Sequence, residues 1–234
     1  MQIHSGRVRR IFGRKNMIIE PNNCYNIDCE IGMKLMQQQG LKADWCITDP
    51  PYGIGIDGQK LSINKNPKHN RKEFEHKGWD KGIPDKNIFD LMFKLSENQI
   101  VFGANYFNEY LPQGKKGWVV WDKGQRDLTM SDCELIYTST NNPTRIITYN
   151  RVELLKDGTI HPTQKPIALL CKLLNTFTKE NDLILDPFAG SQSLRIACHK
   201  LQRQYIGFEI DKEYYDKGCE WYNKVASQIS LFDL

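Results

Sequence analysis

"LILDPFAGSQSLRIACHKLQRQYIGFE", residues 183–209, decides how the chain is built. "LILD" is an unbroken apolar run, the pattern of a strand buried on both faces. Pro187 cannot extend a strand ladder, and the small residues after it allow a tight turn. "SLRIACHKL" (193–201) then carries apolar residues at helical spacing, and "QYIGFE" (204–209) is a second strand. Strand, turn, helix and strand in so short a span make a βαβ unit with parallel strands. The turn lacks G-x-G-x-x-G and no Gly-Lys-Ser/Thr follows, which excludes dinucleotide and P-loop fingerprints. Glu209 closes the second strand, where an acid accepts hydrogen bonds from two ribose hydroxyls. A plain capping acid for the last helix is the other reading, and Asp211 is an alternative for that duty. The unit therefore suits an adenosine-containing ligand without strong phosphate recognition.

The same alternation extends upstream. "ADWCIT" (43–48) is a buried strand and follows a helix that Asp28 caps and Gly40 ends. A helix is expected over 86–96, strands at 99–103 and 117–121, and a short helix at 105–110. "CELIYTS" and "TRIITYN" read as two further strands, adjacent and antiparallel. "IALLCKLLNTF" (167–177) is an apolar-periodic helix, and a final helix covers about 212–227. The fold class is α/β, with a mixed, mostly parallel central sheet and helices on both faces. Residues 53–85 form a long Gly-, Asn-, Lys- and His-rich loop, of the kind that is usually functional or disordered.

Composition is that of a globular domain, 40% apolar and 26% charged, with no apolar stretch of membrane-spanning length. Seven scattered cysteines without a CxxC pair point to reduced thiols and no metal site. The net charge of +4 is concentrated: residues 7–15 and 58–72 each hold five Lys or Arg and no acid. Solvated loops and a polyanionic partner both fit such runs, nucleic acid leading among partners.

A second strand ends on an Asp-Pro, in "TDPPYG" (48–53), so two acids stand where ligands bind in open α/β sheets. Pro50 and Pro51 fix the turn. Asp49 and the Pro50 carbonyl are two acceptors, which suit an exocyclic amino group, and Tyr52 offers a flat face for a base taken out of a duplex. An amino group conjugated to a purine is a poor nucleophile, and accepting its N–H bonds localises its lone pair. A structural turn with Tyr52 in the core is the bland alternative.

"DPPY", "HPTQKP", "DPFAGS" and "GFEID", in that order, make the chain resemble the DNA amino-methyltransferases that use S-adenosylmethionine, in the permuted β class with DPPY upstream. "FGANYF", "WVVWDKG" and "SDCELIYTS" resemble compact solitary, often phage-borne members. The resemblance spans residues 17 to about 222 and implies a Rossmann-like methyltransferase fold in a bacterial cytoplasm. It implies methylation of adenine N6 by direct transfer, with N4-cytosine methylation or a non-catalytic DNA-binding subunit as alternatives. Asp49, Pro50, Pro51 and Tyr52 would be catalytic. Asp186, Phe188, Gly190 and Ser191 would line the cofactor pocket, with Glu209 on its ribose. His161, Thr163 and Lys165 would close the methionine end, and Asp28 would reach the cofactor adenine or merely cap its helix. One departure is Gln192, where the family usually has glycine. If that position needs a positive φ, glutamine is strained there, and a different turn in this subgroup is the expected explanation.

The expected organisation is a basic arm (1–16), a catalytic domain (17–227) and a tail (228–234). Loops at 53–85 and 122–160 would contact DNA, duplex or single-stranded, with Arg126 and Arg145 as candidates; Trp79 and Trp121 are expected to be packed. "QISLF" resembles the peptide that docks bacterial replication proteins on the sliding clamp, through Gln228, Leu231 and Phe232. Monomer and dimer stay open.

Overall fold

The structure is a computed structural model and describes residues 17–58, 73–114, 116–126, 131–150 and 159–229. The basic arm, nearly all of the second basic segment, residues 127–130 and 151–158, and Leu231 and Phe232 lie outside the described residues.

The elements follow the expected order closely. β1 (Asn23–Tyr25) leads into α1 (Cys29–Gln38) and β2 (Ala43–Thr48). α2 (Lys86–Leu95), β3 (Ser96–Phe102), a 3-10 turn (Ala104–Tyr106) and β4 (Trp118–Asp122) follow. β5 (Cys133–Thr138), β6 (Arg145–Thr148), α3 (Ile167–Phe177), β7 (Leu183–Asp186), α4 (Ser193–Lys200), β8 (Gln204–Phe208) and α5 (Lys212–Ile229) complete the chain. Asp28 caps α1 as expected, its Oδ1 accepting from the Glu30 and Ile31 amides. Gly40 stands just past the end of α1 at φ 70°.

Among the described residues one eight-stranded sheet runs in the order β1-β8-β7-β2-β3-β5-β4-β6. The first five strands are parallel, β5 is antiparallel to β3 and β4, and β6 is parallel to β4. One expectation fails here: β5 and β6 are not neighbours, because β4 lies between them. β4 buries Val119 and Trp121 on one side, so it is an interior strand and not an edge.

Strand side chains alternate between two cores. Ile47, Ile100, Ile184 and Tyr205 point to one, which α3 and α4 cover with Leu169, Leu173 and Ile196 and which α5 flanks with Trp221 and Val225. Cys46, Val101, Leu185 and Phe208 point to the other, covered by Met33, Met36, Phe89 and Met92 of α1 and α2. Burial on both faces explains the unbroken apolar runs of β2, β3 and β7.

Candidate active site

The strand order reverses between β7 and β2. From β7 the chain steps outward to β8, which β1 flanks, and from β2 it steps the other way to β3, so a crevice opens beyond the ends of β7 and β2. Asp186 is the last residue of β7 and Asp49 follows β2 directly. Thr48 ties the two ends together by donating from Oγ1 to Asp186 Oδ1 at 2.9 Å. A cavity of about 290 Å³ occupies the crevice, and its lining includes all the site residues singled out in the sequence, the DPPY four and the nine others.

On one side Asp49 sits in a cluster of charges. Lys165 Nζ lies 2.5 Å from Asp49 Oδ2 and 3.2 Å from Glu134 Oε1. The Tyr52 hydroxyl lies 2.5 Å from Asp49 Oδ1 and 2.7 Å from Glu134 Oε1. Lys123 reaches Glu134 Oε2 at 3.5 Å. Two carboxylates thus face two ammonium groups. Burial pushes Asp49 above the usual carboxylate range, against the pull of Lys165. Burial opposes ionisation of Glu134 too, but Lys165 and Lys123 hold it below its usual range. Burial likewise works against the Lys165 ammonium, and the two carboxylates more than offset it.

Lys165 therefore stands on the Asp49 side of the cavity, in contact with the acid. Glu134 was missed altogether. The only signal was a lone acid inside the largely apolar "CELIYT", and its partners Tyr52 and Lys165 come from loops far away in sequence. Tyr52 is held flat by its neighbours. Its ring stacks on Tyr106 at 4.8 Å and 13°, and a Cβ on Gly103 would come within 2.2 Å of it. Gly103 also has φ 63°, so a side chain there is excluded twice over.

On the other side Glu209 accepts the Gly190 amide on Oε2 and the Asp211 amide on Oε1, both at 2.8 Å. Burial pushes its carboxyl up to about 7. Asp211 caps α5 by accepting from the Tyr214 amide at 2.9 Å, which relieves Glu209 of that duty. Burial also pushes Asp186 up to about 7, although Thr48, Phe188 and Tyr205 donate to it. His161 is buried, and burial, helped by Lys165, lowers it to about 3, so its ring is neutral. Its ring lies 4.3 Å from that of Tyr214 and 5.4 Å from that of Trp79. Thr163 stands beside it, Oγ1 being 3.2 Å from His161 Nδ1.

Gln192 corrects a second expectation. It is in the left-handed region, φ 60° and ψ 23°, so the turn is the one glycine would favour and the subgroup has not changed it. The side chain is fully buried and turned into the seam between α4 and α5. Nε2 donates to the Tyr215 carbonyl at 3.0 Å and Oε1 accepts from Arg195 at 3.0 Å. Gly218 of α5 makes the room: a Cβ there would lie 2.7 Å from Gln192 Nε2. Gln192 is not among the cavity residues, so it does not oppose a ligand there. That removes the one support for a non-catalytic subunit.

Of the remaining candidates, Trp121 is packed as expected, its indole donating to the Tyr149 carbonyl at 2.9 Å. Arg126 is exposed and paired with Asp122 at 2.8 Å, and Arg145 begins the outermost strand. Trp79 packs on His161 and also lines the cavity.

These residues fit S-adenosylmethionine. Phe188 and Ile210 supply apolar walls beside the Glu209 carboxylate, which suits an adenosine. At the His161 end, Trp79 and Tyr214 add further aromatic lining.

Residues 108–220 match the family model described as DNA methylase, N6_N4_Mtase. The chain is 29% identical to the type II methyltransferase M.HpaI of Haemophilus parainfluenzae, over 81% of its own length and 70% of that protein. It is 29% identical to M2.MboI of Moraxella bovis, over 63% of its length and 49% of that protein. Among solved structures it superposes on the M1.HpyAVI–SAM complex with a TM-score of 0.59 at 23% identity, covering 86% of this chain and 98% of that one. It superposes on the PvuII cytosine-N4-specific DNA methyltransferase with a TM-score of 0.53 at 14% identity, over 91% of this chain and 97% of that one. By fold, by this crevice and by these relatives, the chain is similar to the DNA amino-methyltransferases, and its residues 108–220 match the N6/N4 DNA methylase domain.

Proposed function

We propose that this chain methylates adenine N6 in DNA, with S-adenosylmethionine as methyl donor. The observation that carries the proposal is the pairing of Asp49 and Asp186 across one crevice, with a carboxylate suited to a ribose at one end and a double-acceptor turn at the other. S-adenosylmethionine supplies an electrophilic methyl group when bound. Glu209 would hold the ribose hydroxyls, and Phe188 and Ile210 would supply apolar contact to the cofactor's adenine.

Asp49 and the Pro50 carbonyl accept the two N–H bonds of the target amino group, which pulls its lone pair out of conjugation. Pro50 and Pro51 keep those acceptors from turning away. Lys165 and the Tyr52 hydroxyl orient the Asp49 carboxylate from the protein side, one on each oxygen. Each carboxylate oxygen has a second lone pair, so the amino group need not displace them. Tyr52 offers its ring to the flipped base. Reacting groups held in line this way need no covalent intermediate on the protein. Residues 53–85 and 122–160 and the basic arm are the proposed DNA contacts, and the tail from Gln228 is a proposed tether to a sliding clamp.

The test is nucleoside analysis of DNA incubated with the protein and S-adenosylmethionine. N6-methyladenine is expected, and N4-methylcytosine in its place refutes the base assignment. Asp49→Ala should abolish transfer while S-adenosylhomocysteine still binds; retained transfer refutes the role of Asp49.

A further inference from the structure

Exposed apolar side chains gather beside the DPPY turn. Of the eight large ones among the described residues, Ile54, Ile56, Ile83 and Tyr106 stand around Tyr52. Single apolar side chains on a surface are ordinary, whereas a cluster marks an interaction site. Tyr106 stacks on the Tyr52 ring. Ile54 follows Tyr52 by two residues, and Ile83 reaches the same place from the far end of the long loop. A Cβ on Gly53 would lie 3.0 Å from the Gly82 Cα and 3.1 Å from the Ile83 amide nitrogen, so the two backbones touch there. Ile54 and Ile83 are 50% and 39% exposed, and neither lines the cavity.

The two isoleucines are held stiffly. The buried Asp80 carboxylate accepts the Gly53 and Ile56 amides, at 2.7 and 2.8 Å, and so pins the backbone on either side of Ile54. The buried Asp57 carboxylate accepts the Lys77 and Trp79 amides, at 3.2 and 3.1 Å. Lys77 ties this segment to the start of α5, with Nζ 2.8 Å from Asp211 and 2.7 Å from Glu213. Pro84 restricts the backbone of Ile83 directly. Buried carboxylates thus fix two backbone segments whose isoleucine tips point away from either core, so the anchoring serves what those tips meet outside.

A base in a duplex reaches Asp49 only by leaving its stack, and the duplex is then open at that step. The gap has flat apolar faces above and below and phosphates outside. Proteins that open a duplex fill such gaps with stiff apolar side chains, isoleucine among them. Charge fits the same partner, since residues 58–72, between the two halves of the cluster, hold five Lys or Arg and no acid. We infer that Ile54 and Ile83 enter duplex DNA beside the target nucleotide and fill the gap that the extruded base leaves. The inference rests on the DNA reading of Asp49 and Tyr52. It adds a surface outside the cavity, and it holds whichever base is methylated.

The experiment compares two duplexes built around one target. Sequencing of methylated bases in plasmid DNA treated with the protein and S-adenosylmethionine gives that target. Synthetic duplexes then carry it either paired or facing an abasic position, where no pair has to break. Ile54→Ala combined with Ile83→Ala should slow single-turnover transfer to the paired duplex about tenfold or more, through the apolar area that the truncations remove. On the abasic duplex the same variant should match the unaltered protein, and it should bind S-adenosylhomocysteine equally well. Ile54→Leu with Ile83→Leu keeps an apolar wedge and should keep transfer to the paired duplex. Equal slowing on both duplexes overturns the inference, because it marks a loss unrelated to extrusion. Undiminished transfer to the paired duplex overturns it as well. Absence of any methylated base in the plasmid would instead refute the proposed function itself.

Discussion

Replacing Glu134 with glutamine tests whether the charges around Asp49 act as one unit. Asp49, Glu134, Lys123 and Lys165 balance two against two, and their side chains are between 9% and 20% exposed. Glu134→Gln keeps the shape and an acceptor oxygen but leaves Lys123 without its ion-pair partner and Lys165 with Asp49 alone. Breaking a buried pair by removing one partner costs about 3–5 kcal/mol. The retained amide oxygen puts this case near the lower figure. For a chain of this size about 3 kcal/mol lowers Tm by roughly 6–12 °C.

Thermal unfolding followed by circular dichroism measures the shift. The companion variant is Glu134→Gln with Lys123→Met, which restores neutrality. If the four charges are coupled, the second substitution recovers part of the loss, with an interaction energy of about 0.5–3 kcal/mol. The shift should also change little between low and high salt, because the groups are shielded from bulk ions. A Glu134→Gln shift below about 2 °C, or two substitutions whose costs simply add, would refute the coupled network. The orientation of Asp49 by Lys165 would then need another cause.

Two further predictions concern the other side of the crevice. Gly218→Ala should destabilise by about 1–3 kcal/mol, since its Cβ meets Gln192 side-chain atoms at 2.7 to 2.9 Å. Adding Gln192→Gly to Gly218→Ala should recover most of that in urea unfolding, and no recovery would mean that the two positions are not coupled. S-adenosylhomocysteine affinity should rise with pH through about 7, because burial holds free Glu209 near that value and only its ionised form accepts both ribose hydroxyls. Below that point each pH unit should cost up to about tenfold in Kd. Glu209→Gln should flatten the profile, and a flat profile in the unaltered protein argues against Glu209 as the ribose ligand.

How much of this was legible in the sequence depends on how far apart the cooperating residues are. "DPPY" and "DPFAGS" each carry strand, turn and acid within a few residues, so their chemistry and their place at strand ends could be read locally. That both face one cavity followed from parallel strands, because an open sheet gathers its carboxyl ends on one side. β4 could not be placed between β5 and β6 by the same means: antiparallel neighbours need no crossover helix, and nothing local fixes which strand inserts where. Glu134 was hidden for a related reason. Its neighbours Tyr52 and Lys165 arrive from loops far away in sequence, and an acid in a half-exposed strand usually just faces water.

Gln192 shows the limit most clearly. The sequence rightly flagged a residue that ought to be strained, and the backbone is indeed left-handed there. The side chain answers that strain with bonds to Tyr215 and Arg195 and with a space that Gly218 leaves open. Glycine at 192 would be free of strain and would leave that space empty; glycine at 218 weakens a helix and is justified only by what fills it. Neither glycine position is intelligible alone. The flexible residue expected in the cofactor turn has in effect an equivalent one layer back, in α5, where it keeps the turn's geometry without entering the cavity. The departure from the family pattern therefore alters how the turn is supported and leaves the crevice beyond β7 and β2 open for its ligand.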